Sequence, residues 1–220
     1  FYKNNPTGSS KYSDITVFSF HPVKIITTGE GGAALTNSKN LAKNLELISN
    51  QGIERDNRLF VNKKMKNKNW YYEMHKLGFN YRMNEMQSAL GLSQMKNINK
   101  FIKKRKNIFD FYKTNIDQDL FDIQYIPNNI QSSYHLAVVR KKSKISKKKI
   151  FDYFLKKGIR LQSHYIPIHL HPFFQKNGFK KMSLRNTENY YENSFSLPIY
   201  YDLKIDEQKK VINALNKISF

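Results

Sequence analysis

Segment 19–26 (SFHPVKII) contains the residue types that most clearly suggest covalent chemistry. A lysine can form a Schiff base with a carbonyl compound, and the attacking species is the uncharged amine. Lys24 is flanked by Val23, Ile25 and Ile26, so we expect partial desolvation, which disfavours its ammonium form. A lysine in an apolar loop is also typical of a surface side chain whose stem covers apolar residues. Spacing alone leaves both interpretations open.

The elements around Lys24 are predicted to present it beside a strand end. Residues 14–20 are rich in β-branched and aromatic residues and bounded by turn formers, which predicts a buried strand with Ser19 and His21 at its carboxyl end. The run 29–32 (GEGG) predicts a tight turn into a second strand over 33–36. A helix capped by Asn37 or Ser38 should follow and end near Gly52.

The rest of the chain alternates between helical and extended patterns. Residues 53–83 show no regular period, and a stretch of this length in a compact domain is usually functional or disordered. The remaining predicted elements are a helix opened by an Asn84–Gln87 capping box, a longer helix from Ile98 to Tyr112, a strand over 134–139, a helix from Ser146 to Lys157 stopped by Gly158, an extended stretch over 159–165, and a last helix capped by Asp206 with Val211, Ile212, Leu215 and Ile218 buried.

Several segments together resemble one family. They are the lysine segment with its GEGG turn, LGFNYRMNEMQ at 77–87, QGIERD at 51–56, WYYEM at 70–74, HYIPIHLHPFF at 164–174 and SLPIY at 196–200. These resemble the DegT/DnrJ/EryC1/StrS family of sugar aminotransferases, which have the pyridoxal-phosphate fold type I. The last four of these segments are similar to members that aminate the C4 ketone of a UDP-linked 4-keto-6-deoxy amino sugar in pseudaminic acid synthesis, with glutamate as donor.

The resemblance implies roles for three residues. Lys24 would bind pyridoxal 5'-phosphate covalently and act as the catalytic acid and base, and Ser19 would hydrogen-bond the cofactor phosphate. Asn80 would reach across a homodimer to the phosphate of the neighbouring subunit's cofactor; a turn residue bonded to its own backbone is the alternative. Arg82 is either part of the site or a structural ion-pair partner. Family members that are dehydratases have histidine in place of the lysine, so Lys24 favours transamination.

The substrate-binding candidates are His21, Glu30, His164, Tyr165 and His169. Histidines at 164, 169 and 171 have spacings that two or three metal ligands can share. The chain has no cysteine and no acidic cluster near these histidines, so we expect no metal. A substrate-facing wall formed by the first two histidines and Tyr165 is the better interpretation, and packing explains His171.

The resemblance also implies the fold class and domains. We expect an α/β protein of fold type I in which residues 1–105 are the remaining part of a truncated major cofactor-binding domain and residues 106–220 form the small carboxy-terminal α/β domain. The chain opens at Phe1 without methionine. The phosphate-binding turn, the ring-stacking aromatic residue and the carboxylate partner of the pyridine nitrogen normally precede the lysine segment. We therefore expect an incomplete chain with an exposed sheet edge, and little or no activity unless an upstream half is supplied.

Composition leaves one competing class open. The 220 residues include 38 lysines and arginines against 17 acidic residues, a formal charge of +21, which is typical of proteins that bind nucleic acid or anionic membranes. The lysines are spread over every segment rather than clustered, so we expect neither partner. No apolar run approaches the roughly 20 residues of a membrane span, and the lack of cysteine agrees with a cytoplasmic location.

Two further alternatives are an aminotransferase for another nucleotide-linked keto sugar and a non-catalytic remnant of the family.

Overall fold

The structure is a computed structural model that describes residues 1–179 and 182–218. The chain divides into two units, Phe1–Ile98 with Asn129–Gln131 and Asn99–Asn128 with Ser132–Phe220. This division and the boundary predicted after residue 105 both lie in helix α3. The helices are α1 (Lys39–Ser49), α2 (Glu85–Lys96), α3 (Ile98–Asn115), α4 (Lys147–Lys156), α5 (Pro172–Phe174), α6 (Arg185–Asn193) and α7 (Ile205–Asn216). The strands are β1 (Thr16–Ser19), β2 (Gly32–Leu35), β3 (Ile53–Glu54), β4 (Glu73–Met74), β5 (Phe121–Ile123), β6 (Ala137–Lys141) and β7 (Ser194–Leu197).

The first unit opens with an antiparallel pair. Strands β1 and β2 pair with Ser19 opposite Gly32, so both predicted strands are present. The prediction that the first strand is buried was wrong, because Val17 is 77% exposed. The two strands form a two-stranded sheet, and such a sheet covers few of its own side chains.

Side-chain caps fix the helices of the first unit. The Ser38 hydroxyl accepts the Leu41 amide at 3.4 Å, which begins α1. The capping box at α2 is confirmed: the Asn84 side chain accepts the Gln87 amide at 2.9 Å, and the Gln87 side chain accepts the Asn84 amide at 3.0 Å. Between these helices, the aperiodic residues 53–83 form the short β3–β4 pair and two 3-10 turns.

The second unit contains a three-stranded antiparallel sheet in the order β5-β6-β7. One face of the sheet joins α3, α4 and α7 in a single apolar core, with Phe121, Val139 and Phe195 almost fully buried. Strand β6 begins at Ala137, later than predicted. Tyr134 has a positive φ of 53°, which is incompatible with a regular strand.

Helices α4 and α7 match their predictions except at one cap, whereas α5 and α6 were not predicted from the sequence. Ser146 caps α4. Val211, Ile212 and Leu215 on α7, and Ile218 just beyond its end, are buried as predicted. Asp206 was the wrong cap for α7, because the N-cap is Lys204. The Glu207 carboxylate accepts the Lys204 amide at 2.8 Å, and Asp206 lies in the first turn. Residues 159–165, predicted to be extended, form no strand and contain one isolated bridge, between Gln162 and Ser196.

Candidate active site

Residues 20–31, between β1 and β2, form a closed loop braced at its neck. The Phe20 amide donates to the Gly31 carbonyl at 2.8 Å. The Phe20 carbonyl accepts the Thr28 amide at 3.0 Å and the Thr27 hydroxyl at 2.9 Å. Three bonds on one residue hold the two ends of the loop together, so the loop has a fixed conformation at its base.

The glycine-rich turn at residues 29–32 requires glycine at Gly31. This residue has a φ of +154°, and a Cβ there would lie 2.4 Å from the Thr28 hydroxyl. That hydroxyl donates to the Glu30 carbonyl at 2.7 Å. The same carbonyl accepts the Gln87 side-chain amide at 3.1 Å, which ties the turn to α2. The sequence identified Gln87 only as a helix cap, and no local pattern indicated this second contact.

Lys24 lies in the middle of this loop and is half-buried. Its amide donates to the His21 carbonyl at 2.9 Å. The apolar flank is one-sided, because Ile26 is buried whereas Val23 is largely exposed. Within residues 1–179 and 182–218, the Lys24 Nζ atom forms no hydrogen bond or ion pair. An amine held in a braced loop and lacking a competing carboxylate is suited to bond with a carbonyl compound.

Three other candidates lie in or beside the same loop. The Ser19 hydroxyl, at the carboxyl end of β1, is exposed and accepts the His21 amide at 3.4 Å, so its proton remains available to an anion. His21 Nε2 lies 3.9 Å from Glu30 Oε1, a loose contact between two exposed side chains. The structure therefore brings Ser19, His21, Lys24 and Glu30 together on one hairpin connection.

Asn80 is held by the backbone around it. It forms an isolated bridge with Asn50, and the neighbouring Tyr81 amide donates to the Ser49 carbonyl at 2.9 Å. A Cβ at Gly52 would lie 1.7 Å from the Lys76 carbonyl oxygen, so the backbone at Gly52 packs directly against the backbone at Lys76. The Asn80 side chain is exposed and has no hydrogen bond in the part of the chain that the structure describes. It is thus rigidly placed with its amide available.

Arg82 hydrogen-bonds a neutral side chain rather than a carboxylate. Its Nη1 atom donates to Asn50 Oδ1 at 2.6 Å. Arg82 and Glu30 also line one cavity of about 460 Å³, together with Gly31 and Gln87. The structure therefore brings the two sequence segments, the glycine-rich turn and the NYR motif, to a common cavity.

The candidates of the second unit differ in exposure. His164 Nδ1 lies 2.9 Å from the Ser196 hydroxyl, and Tyr165 is 73% exposed. His169 was predicted to face a substrate, but it is 3% exposed and its Nε2 atom bonds Glu188 at 2.8 Å. That prediction does not fit the structure: burial and the carboxylate partner give His169 a structural role.

Metal-ligand clusters and membrane-spanning helices are both absent from the described residues. No group of three or more His, Cys, Asp or Glu side chains among residues 1–179 and 182–218 is placed to hold a metal ion. Over the same residues, no helix is both long enough and apolar enough to cross a membrane.

The fold and the lysine loop are similar to those of one class of proteins, the sugar aminotransferases. The profile of the DegT/DnrJ/EryC1/StrS aminotransferase family matches residues 2–216, and the chain belongs to this family. The family resemblance and the fold class predicted from the sequence are both confirmed.

Individual relatives are similar over almost the whole chain. The UDP-4-amino-4,6-dideoxy-N-acetyl-beta-L-altrosamine transaminase of Campylobacter jejuni is 32% identical over 220 residues, which are 99% of this chain and 55% of that protein. Among solved structures, Helicobacter pylori PseC, an aminotransferase involved in the biosynthesis of pseudoaminic acid, has a TM-score of 0.86 at 30% identity, covering 98% of this chain and 55% of PseC.

A third relative has been solved in two cofactor forms. Streptococcus pneumoniae Spr1654, assigned as a sugar aminotransferase, was solved in its PMP form and has a TM-score of 0.86 at 26% identity, covering 98% of this chain and 55% of that chain. A PLP form of the same protein is also similar, at 25% identity. The chain spans about half the length of the curated relatives that it matches.

Proposed function

We propose that this chain carries the lysine-bearing part of an aminotransferase that transfers the amino group of glutamate to the C4 ketone of a UDP-linked 4-keto-6-deoxy amino sugar. The observation that carries the proposal is the Lys24 amine, half-buried in a braced loop and without a partner among the described residues. The similarity to transaminases of the altrosamine derivative supports this sugar class.

The residues present fit pyridoxal phosphate. The cofactor needs an amine for its aldehyde and hydrogen-bond donors for its phosphate, and the Lys24 amine and Ser19 hydroxyl supply one of each from the same hairpin connection. Asn80 would supply a further phosphate donor to the cofactor of a second copy, because its amide is exposed and its backbone is fixed. We therefore propose that the protein acts as a homodimer.

Lys24 would perform the proton transfers. When bound, the cofactor supplies a ring that withdraws electrons from the carbon being deprotonated. The Lys24 amine acts as a base toward the α-carbon of glutamate and as an acid at C4 of the sugar in the second half of the reaction. The ketone oxygen of the sugar leaves as water and the amino group takes its place, while water supplies the keto oxygen as glutamate becomes 2-oxoglutarate.

His21 and Glu30 would contact the substrate, since both are exposed and lie in the same loop as Lys24. His164 and Tyr165 are proposed as further sugar contacts, whereas His169 is not, given its burial. We propose a cytoplasmic reaction, because UDP-linked sugars and glutamate are cytoplasmic compounds. A different nucleotide-linked keto sugar is the second candidate substrate, favoured by the family's range of sugar aminotransferases.

The experiment that tests the cofactor site is reductive trapping. The purified chain is mixed with pyridoxal phosphate, reduced with borohydride and mapped by peptide mass spectrometry. We expect the label on Lys24, none in Lys24→Ala, and unchanged labelling in Lys39→Ala, which removes an exposed lysine from α1. A label spread evenly over surface lysines would contradict the proposal.

The substrate is tested separately. The chain, with and without a polypeptide that supplies the amino-terminal half of a relative, is assayed for 2-oxoglutarate release from glutamate with a panel of UDP-linked and GDP-linked keto sugars. We expect release with the UDP-linked 4-keto-6-deoxy amino sugar when that polypeptide is present. Release only with another sugar would identify that sugar as the substrate and would leave the proposed cofactor site unchanged.

A further inference from the structure

The second unit contains a cavity of about 660 Å³ on the face of the β5-β6-β7 sheet that points away from the core. This volume is within the range of about 300–1,000 Å³ that is usual for small-molecule sites. Residues that line it include Asp122, Gln124, Ser132, Arg140, Tyr190 and Ser194. None of these is among the residues assigned above to the cofactor or the sugar substrate.

Strand register explains why polar side chains meet there. Arg140 pairs with Asp122 of β5 on one side and with Ser194 of β7 on the other. Directly paired residues share a face of the sheet, and the alternate residue Val139 points into the core. The three polar side chains therefore form one row across the outer face of the sheet.

Ser194 is the most informative member of this row. It is 4% exposed, and its hydroxyl has no hydrogen-bond partner among the described residues. A buried hydroxyl without a partner costs free energy, about 1–3 kcal/mol. A hydroxyl in this state that also lines a cavity is suited to bind a polar atom of a ligand.

Arg140 supplies an uncompensated positive charge. Its guanidinium forms no hydrogen bond or ion pair with any residue that the structure describes. Asp122, its neighbour across the strand, is bound instead to Lys142, with 3.0 Å between Oδ1 and Nζ. The acidic wall of the cavity is thus neutralised, and Arg140 remains available for an anion such as phosphate, whose oxygens can accept two of its N–H groups.

The other lining residues suit a sugar ring. Tyr190 on α6 is half-exposed and offers an aromatic face to which the C–H groups of a sugar can pack. Gln124 and Ser132 each offer a donor and an acceptor to hydroxyl groups. A wall with one aromatic face, several hydroxyl partners and one cation matches a phosphorylated sugar.

We propose that this cavity binds a phosphorylated sugar, with the phosphate on Arg140, a sugar hydroxyl on Ser194 and the ring against Tyr190. The site requires neither Lys24 nor pyridoxal phosphate, so it stands independently of the proposed function. The ligand is either a free sugar phosphate or the ribose phosphate of a nucleotide, which share this chemistry.

Isothermal titration calorimetry of the full 220-residue chain tests the proposal. The probes are glucose 1-phosphate, uridine monophosphate, glucose and inorganic phosphate. We expect glucose 1-phosphate or uridine monophosphate to bind with a Kd of about 1 mM or below. The probe that binds more tightly shows whether the ligand is a free sugar phosphate or a nucleotide. Glucose and inorganic phosphate alone should bind at least about tenfold more weakly. Equal binding of inorganic phosphate, or no heat with any probe, would overturn the proposal.

Variants separate binding from folding. Arg140→Gln should weaken binding by about tenfold or more, and Arg160→Gln, an exposed arginine that does not line the cavity, should leave binding unchanged. Ser194→Ala should weaken binding while leaving the Tm of the free protein unchanged or higher, because it removes an unpaired buried hydroxyl. A lower Tm with unchanged affinity in Ser194→Ala would assign the residue a structural role and overturn its place in the site.

Discussion

His169 Nε2 donates a hydrogen bond of 2.8 Å to Glu188 Oε1, and this pair joins the segment after residue 164 to helix α6. The same carboxylate oxygen accepts the Leu184 amide at 2.9 Å. The hydrogen bond from His169, followed by the one from Leu184, holds the pKa of the Glu188 carboxyl below its usual value of 4.5. A residue that the sequence suggested for substrate binding is therefore an anchor of the fold.

The first prediction concerns this pair. Because the pKa of Glu188 is lower in the folded state than in the unfolded state, its contribution to stability is present above pH 4.5 and is lost as the pH falls through the folded pKa. We expect Glu188→Gln to lower the Tm at pH 7, and the difference from wild type to shrink at acid pH. Thermal melts from pH 7 to pH 3 measure this. Glu192→Gln, an exposed change on the same helix, is the control, and an equal effect of the two variants would contradict the assignment.

The second prediction concerns the turn beside Lys24. Gly31→Ala should destabilise the protein by about 2–3 kcal/mol, because it combines a positive φ with a clash against the Thr28 hydroxyl. Gly29→Ala has a positive φ of +80° but no atom within 4 Å of the new Cβ, so we expect a cost of about 1 kcal/mol. Urea unfolding compares the two. Equal costs would show that the contact with Thr28 does not constrain the turn.

The third prediction concerns the segment between β3 and β4, which is organised by the Glu73 carboxylate. Its oxygens accept the amides of Val61 and Asn62 at 2.7 and 2.8 Å, and its Oε2 atom lies 2.6 Å from His75 Nε2. Burial alone would raise the pKa of Glu73, but the hydrogen bonds from His75, the two amides and Tyr71 outweigh it and place the pKa at about 2.

We expect Glu73→Gln to loosen this segment, so that trypsin cleaves faster at the lysines of residues 63–68. The carboxylate should protect the segment above pH 4.5 and lose this effect only as the pH approaches about 2, since its pKa is lowered on folding. Limited proteolysis at pH 8 followed by mass spectrometry measures the cleavage rate. Glu46→Gln on α1 serves as the comparison and should leave the rate unchanged.

The fourth prediction separates cofactor binding from stability at two asparagines. The Asn50 side chain accepts a hydrogen bond from Arg82, whereas the Asn80 side chain has none within the described residues. We expect Asn80→Ala to keep the wild-type Tm and to weaken retention of pyridoxal phosphate by about tenfold or more in the dimeric protein. Asn50→Ala should lower the Tm instead. Cofactor titration by absorbance and thermal melts give the two readouts; a destabilised Asn80→Ala with normal cofactor affinity would refute the proposed role.

Local chemistry made much of the fold predictable. The capping box of Asn84 and Gln87, the Ser38 and Ser146 caps and the buried stripe of α7 each depend on residues three or four positions apart, so the sequence alone contains the interaction. The cap of α7 was misassigned because Asp206 and Glu207 are both acidic and adjacent, and only the backbone geometry shows that Glu207 bonds the Lys204 amide.

The sequence by itself determined the family, the fold class and the segment that carries Lys24, because these depend on residue types at fixed spacing. Only the tertiary structure decided which polar groups have hydrogen-bond partners. His169 is buried against Glu188, and Arg82 donates to Asn50. The Ser194 hydroxyl, on the strand residue paired with Arg140, has no hydrogen bond within the part of the chain that the structure describes. Each of these relationships joins residues far apart along the chain or on different strands. They depend on helix packing and strand register, which no local pattern of residues specifies.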